Sequence, residues 1–401
     1  MAQQWQDQTT GERIRFLRGS MTQQALAEAA GVSVHLVQKA EQSKPISLPY
    51  LMKLAEALGR DLAVVLGEIS PRRAELREEA TALRAISVAT HEAGAGRVSD
   101  IEPGSLSDLN EAFARIWREY WRGDYDTLGL TLPGVLRESA ALYRGSTGTA
   151  RNEAATLLAD AMQLSGHYAN NFGARDLAYA AMGYAAQAVA DASDELRAGR
   201  LDAVLSWIYL RDGKADKAMQ IAGRAAAQIE PSYSNVDESR LAVYGNLMTN
   251  AAVAASRGGG SADEARDYIS QAHAVAARMT HEVAPFGAIF GQGAAATQSV
   301  SVSLALGDFG HALALIDGPD FPIGEMLPSS QARYYLDVAL ARAEQRRWSD
   351  ASNAVQLAYD AAPAFTRTQA LTVDLIRRIG DASSASVRRL AEKIGIPYVA
   401  G

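Results

Sequence analysis

Residues 22–42 read TQQALAEAAGVSVHLVQKAEQ, and their spacing predicts two short helices joined at a glycine. Thr22 is a good N-cap for the helix QQALAEAA, Gly31 breaks that helix with a residue tolerant of positive φ, and Ser33 caps the next one. Two helices crossing near a right angle need a small residue at closest approach, and Ala27 fills that place. Leu26, Ala30, Val32, Val37 and Ala40 fall on the side such a unit buries, so Val34, His35, Leu36, Gln38 and Lys39 face outward. Val34 and Leu36 side by side on a solvated face ask for something to cover them.

The neighbouring segments extend the unit. GERIRFLRG carries Ile14 and Leu17 on one face. A Ser-Lys-Pro turn at 43–45 follows the quoted stretch, then LPYLMKLAEAL repeats apolar residues at Leu51, Leu54, Ala55 and Leu58, and DLAVVLG adds Leu62, Val65 and Leu66. Residues 1–67 are therefore expected to form a compact five-helix bundle.

The block TQQALAEAAGVSVHLVQKAEQ followed by LPYLMKLAEALGRDLAVVLG resembles the phage-repressor-like (Xre/Cro) family of DNA-binding domains over roughly residues 10–67. One departure is RFLRGSM, between Ile14 and Thr22, which is shorter than the family's usual first turn. The resemblance implies that Val34, His35, Leu36, Gln38 and Lys39 read base edges in the major groove, while Thr22, Gln23, Ser33, Gln42 and Lys44 meet phosphates. The chemistry agrees. Lys39 donates to guanine O6/N7, Gln38 bonds adenine bidentately, and Val34 or Leu36 meets a thymine methyl. A helix N-terminus at Gln23 attracts phosphate. Glu41, acidic beside phosphates, is expected instead to pair with an arginine of the first helix such as Arg15.

Charge and composition set bounds on the rest. The 401 residues exceed one typical domain, and 48% apolar content suffices for packed cores. The chain carries net charge −7, yet residues 1–67 hold seven Lys/Arg against six Asp/Glu, so the acidity lies elsewhere. Phosphate binding needs a local basic face, not a basic chain. The absence of cysteine excludes disulfides and thiolate chemistry and suits a reducing cytoplasm. No apolar run approaches the ~20 residues that span a bilayer, and MAQQWQDQTTGER lacks the apolar core of a signal peptide. A cytoplasmic protein is expected.

Residues 68–105 read as a connecting helix beginning near Pro71 and then a Gly/Ser/Pro-rich loop. From 106 to 401 helical period dominates, with no convincing strand ladder. Helix pairs recur with an alanine in the second helix: Ala178, Ala218, Ala265, Ala312 and Ala351, spaced 40, 47, 47 and 39 apart. That periodicity predicts a solenoid of helical hairpins. The units resemble tetratricopeptide repeats with lengthened loops, best over 199–231, where Leu205, Tyr209, Ala218, Ala222, Ala225 and Pro231 sit in consensus places while Asp202 and Ser206 depart from it. The fold class expected is all-α: a five-helix repressor-like helix-turn-helix domain followed by a tetratricopeptide-like α-solenoid.

The first helix of each pair lines the concave face of such a solenoid. Tyr168, Asn170, Asn171, Tyr209, Tyr244, Asn246 and Asn250 lie on first helices. Asparagine amides suit an extended peptide and tyrosines give rigid contact surface, so Tyr168, Asn170, Tyr209, Tyr244, Asn246 and Asn250 are candidate ligand contacts. The tyrosines equally suit the solenoid core.

Signals for catalysis are missing. The histidines at 35, 91, 167, 273, 281 and 311 show no HExxH or other ligand spacing, and neither GxSxG nor GxxxxGK[ST] occurs. No catalytic residue, metal ligand or cofactor is expected. The reading that results is a transcription regulator that binds double-stranded operator DNA as a homodimer, with a C-terminal domain that dimerises and senses a peptide or small molecule. The pairing of domains also resembles peptide-responsive quorum-sensing regulators of Gram-positive bacteria and regulators of actinobacteria. An interaction scaffold, or a phage-type antitoxin or immunity repressor answering to a protein partner, are the alternatives.

Overall fold

In the computed structural model, residues 8–44, 46–60, 62–66, 71–98, 101–234, 237–318, 326–382, 387, 390–391 and 393–395 are described. Pro45, the last residue of the expected turn after Gln42, lies outside them. The described residues are all-α apart from one isolated bridge between Val283 and Phe290. The chain divides into two compact units, Met1–Thr81 and Ala82–Gly401.

The first unit is built from α1 (Thr10–Arg18), α2 (Gln23–Ala30), α3 (Val34–Glu41), α4 (Leu48–Ala57) and α5 (Leu62–Leu66). Ile14, Leu26, Val37, Leu54 and Val65, one from each helix, are fully buried together. The local devices are the ones the sequence predicts. The Thr22 hydroxyl accepts from the Ala25 amide at 3.1 Å and the Ser33 hydroxyl from the Leu36 amide at 3.3 Å, closing the two helix starts. Gly31 takes φ +61°, ψ +42°, the left-handed cap that a side chain resists.

The span 68–105 falls across the division between the units. Helix α6 (Pro71–Gly94) occupies most of it, and Ile86, Ala89 and Ala93 on its later turns are buried in the core of the second unit.

The second unit stacks consecutive helix pairs: α7 (Leu106–Arg122) with α8 (Tyr125–Gly145), α9 (Gly148–Asn171) with α10 (Arg175–Ala192), α11 (Glu195–Arg211) with α12 (Ala215–Gln228), and α13 (Glu238–Ala254) with α14 (Ala262–Ala276). Two further pairs follow, α15 (Gln292–Ala305) with α16 (Phe309–Ile316), and α17 (Pro328–Glu344) with α18 (Trp348–Ala361). Short helices α19 (Pro363–Thr368) and α20 (Ala370–Ala382) pack on the last pair.

The recurring alanines explain the stacking. Ala178, Ala218, Ala265, Ala312 and Ala351 sit on the second helices of five successive pairs, and each is 0% exposed. A methyl group at that point lets two helix backbones approach closely, and anything larger would hold them apart. In the 199–231 pair, Ser206 takes the place of a consensus glycine, and its hydroxyl donates to the Ala218 carbonyl at 2.8 Å.

The stack also returns on itself, since α17 packs against α7. Gly123, the left-handed cap of α7 at φ +73°, rests against Ala362 and Phe365 after α18. The first helices of the pairs consequently face a common interior.

Candidate nucleic-acid interface and interior cavity

The outer face of α3 is polar and solvated. His35, Gln38 and Lys39 are exposed on the helix, and Gln42 and Lys44 are exposed just beyond it. Val34 and Leu36 correct the sequence expectation, because both are half-buried against the bundle's own core, which removes the need for a partner to cover them. Among the expected base readers this leaves three side chains fully presented. Thr22 and Ser33 are exposed N-caps whose oxygens accept backbone amides, so each O–H remains a donor available to phosphate.

Glu41 is the buried anchor of this surface. Its carboxylate accepts from Arg18 Nε at 2.5 Å and from Gln23 Nε2 at 2.7 Å, and lies 3.7 Å from Arg15 Nε. The expected partner on the first helix is thus chiefly Arg18, with Arg15 more distant. Burial raises the Glu41 pKa, but hydrogen bonds from Arg18 and Gln23 and the charges of Arg18 and Arg15 outweigh it and hold the carboxyl below its ordinary range. Gln23 is therefore bound to α3 through one amide proton. Its other amide proton remains a donor for phosphate.

The second unit holds a partly open cavity of about 210 Å³ on the inner side of its first helices. First helices supply most of its wall: His167 and Asn171 from α9, Arg200 and Trp207 from α11, Asn246 and Asn250 from α13, Ser301 from α15, and Arg333 and Asp337 from α17. Tyr120 and Trp121 of α7 close the circle. Buried Arg200 is the hub. It donates to Asn246 Oδ1 at 3.0 Å, to the carbonyl oxygens of Phe286 at 3.4 Å and Gly287 at 3.0 Å, and meets His167 Nε2 at 3.1 Å. Burial pushes its pKa down to about 10 and pushes that of His167 well below the ordinary histidine value, where the nearby Arg200 charge also holds it. His167 is neutral, and so can accept at Nε2 while its Nδ1 lies 3.2 Å from the Tyr120 hydroxyl.

The carbonyls that Arg200 grips belong to a finger between α14 and α15, pinned at its base by the Val283–Phe290 bridge. Gly287, at φ +76°, stands so close to the Trp117 ring that a methyl group there would overlap it. Phe286 lies beneath the Arg197 guanidinium, 4.2 Å from it, and Arg197 pairs with Asp160 at 3.3 Å.

The expected ligand contacts separate into two groups. Asn246 and Asn250 line the cavity, with the Asn250 amide donating to the Ala203 carbonyl at 2.8 Å. The others lie off its wall. Tyr168 is 1% exposed and stacked on Phe172, and Asn170 is 2% exposed with Oδ1 taken by Arg175 at 2.6 Å. Tyr209 packs against the Tyr179 ring, and the Tyr244 hydroxyl donates to Gln271 at 3.3 Å. The arginines at 200, 211 and 333 escaped the sequence reading. A signal for the first two existed: Arg200, Ala203, Trp207 and Arg211 fall at helical spacing on one face of α11.

Among the described residues, no group of three or more His, Asp or Glu side chains is placed to hold a metal ion, and no helix is long and apolar enough to cross a membrane. Residues 14–65 match the family described as Helix-turn-helix. The comparison with curated proteins finds no match. Among solved structures, the apo form of the competence regulator ComR from Streptococcus vestibularis is similar at 13% identity and a TM-score of 0.32, with 97% of this chain and 98% of that chain covered.

Proposed function

We propose that a helix-turn-helix head and a ligand-sensing helical domain act together in this chain: it is a DNA-binding transcriptional regulator that works in the cytoplasm as a homodimer. The observation that carries the reading is the match over 14–65 combined with the solvated face of α3, where His35, Gln38 and Lys39 are available to base edges. Thr22, Gln23, Ser33, Gln42 and Lys44 flank that face and serve as phosphate contacts. The second unit is read as tetratricopeptide-like, with its central cavity as the place where a small signal molecule or peptide is sensed. Asn246 and Asn250, on the wall of that cavity, are its proposed ligand contacts. A single head covers a short half-site, so pairing of two heads supplies the remaining affinity and specificity.

Selection of fragments from genomic DNA by the full chain tests the reading. Two related half-sites about one helical turn, or a multiple of it, apart are expected, with affinity that falls steeply as salt rises. If no sequence is enriched and no duplex is bound at low salt, the bundle is not a DNA head and the second unit serves as an interaction scaffold.

A further inference from the structure

The central cavity opens into a larger one of about 570 Å³, and the two share Trp207, Arg211, Ser301, Arg333, Asp337 and Gln369 in their walls. The larger space lies within the range of small-ligand sites, about 300–1,000 Å³. Its apolar lining comes from Trp207, Leu304, Leu340 and Leu371.

The charges facing this space do not balance locally. Two carboxylates line it, Asp337 and Asp374, a third, Glu282, lines the central cavity beside it, and each is engaged. Asp337 pairs with Arg333 at 3.4 Å, Glu282 accepts from the Ala294 amide at 2.6 Å, and Asp374 lies 3.9 Å from Arg378, which is outside the cavity wall. Arg211 and Arg257 have no carboxylate partner among the described residues. Arg211 donates to Asn171 Oδ1 at 3.1 Å, and Arg257 reaches only the Ser301 hydroxyl, at 3.5 Å.

The backbone is shaped to bring Arg257 to this place. After α13 the chain makes one wider turn, Ala255–Gly259, with Arg257 at φ −104°, ψ 23° and Gly258 at φ +96°. Gly259 packs so closely on the Ala215 carbonyl that a methyl group would collide with it at 2.3 Å. Arg257 is exposed on the cavity wall, and the like charges of Arg333 and Arg211 act on it, with Asp337 offsetting part of this. Mutually repelling guanidiniums in a concave wall are stabilised by a bound anion.

We propose that this cavity binds a small amphipathic oxyanion, with its carboxylate or phosphate seated among Arg211, Arg257 and Arg333 and its apolar body on Trp207, Leu304 and Leu340. The proposal rests on reading the second unit as a sensor and narrows its ligand class.

Octanoate and octyl phosphate serve as probes on the full-length protein, with octanol and octylamine as controls of the same apolar length, read by titration calorimetry and thermal unfolding. The anions should bind and raise the unfolding midpoint, and the controls should not; whichever anion binds more tightly identifies the headgroup. Arg257→Gln should weaken anion binding at least tenfold while leaving the ligand-free midpoint unchanged or higher, because it removes a repelled cation and no ion pair. Octanol binding as tightly as octanoate, or Arg257→Gln binding like the parent, overturns the proposal. Operator affinity measured with and without octanoate separates the two readings: anion binding with unchanged DNA affinity upholds the site and refutes the sensor, whereas no anion binding refutes the site itself.

Discussion

The outer face of α3 and the wall of the central cavity are both polar surfaces on short stretches of helix, but they are made in opposite ways. On α3 the side chains His35, Gln38 and Lys39 stand in water, and the surface is complete within a single helix and its two flanks. In the cavity the polar groups bond one another, and they come from helices as far apart in sequence as α7 and α17. A solvated site can lose a side chain with little effect on the fold, since water replaces it. A network of buried groups cannot, because each lost donor strands its acceptors.

The largest expected effect tests that contrast directly. Arg200→Ala leaves the Gly287 carbonyl, Asn246 Oδ1 and His167 Nε2 without this donor, while the Phe286 carbonyl keeps its bond from Gln163 Nε2 at 2.9 Å. It should destabilise the protein by about 3 kcal/mol or more, at roughly 1–3 kcal/mol for a stranded buried group. Urea unfolding measures this. A loss below about 0.5 kcal/mol, typical of a surface change, would place Arg200 with the α3 residues and erase the distinction.

Glu41 is intermediate, a buried carboxylate that orders a solvated face. Glu41→Ala should cost about 2 kcal/mol of local stability, through loss of charge-assisted bonds to Arg18 and Gln23. Its pKa is lowered in the folded state, so its contribution is fully present above the ordinary carboxyl value of 4.5 and disappears as pH falls through the lower folded value. Hydrogen exchange of α1 and α3 amides should accordingly show the parent losing protection in that acid window, with the variant already less protected at neutral pH. Equal protection at pH 7 would mean the carboxylate does not hold the helices together.

The smallest effects on folding should come from the solvated face itself. Lys39→Ala should leave unfolding unchanged and weaken operator binding by about 1–3 kcal/mol, sparing random DNA, as loss of a base contact does. Gln23→Ala should weaken binding to all sequences alike, since backbone contacts position without specifying. Equal losses on operator and random DNA for Lys39→Ala would reassign it to phosphate. A shifted sequence preference for Gln23→Ala would move it among the readers.

The helix-turn-helix was legible because its constraints are local. Caps at Thr22 and Ser33, the turn at Gly31 and the burial of Leu26 and Val37 all depend on residues within a few positions of one another. Val34 and Leu36 misled because helical spacing tells which side a residue occupies, not how far α4 and the rest of the bundle reach around it. The solenoid was legible in part through Ala178, Ala218, Ala265, Ala312 and Ala351, since close helix contact demands a small side chain at a repeated place. Its candidate contacts were less so: tyrosines and asparagines on first helices look alike in sequence, whether they face the interior, as Asn246 does, or the packed core, as Tyr168 does.

What the sequence by itself determined is the all-α class, the helix-turn-helix and the order of the helix pairs, because spacing, capping and small-residue rules act over a few turns of chain. Only the tertiary structure decided that Arg200, Arg211, Arg257 and Arg333 share one interior with Asn246 and Asn250. That depends on the cumulative rotation from pair to pair, on the return of α17 to α7 and on the wide turn at Ala255–Gly259. Small rotations summed over many repeats set where distant side chains meet, and no local pattern of residues encodes that sum.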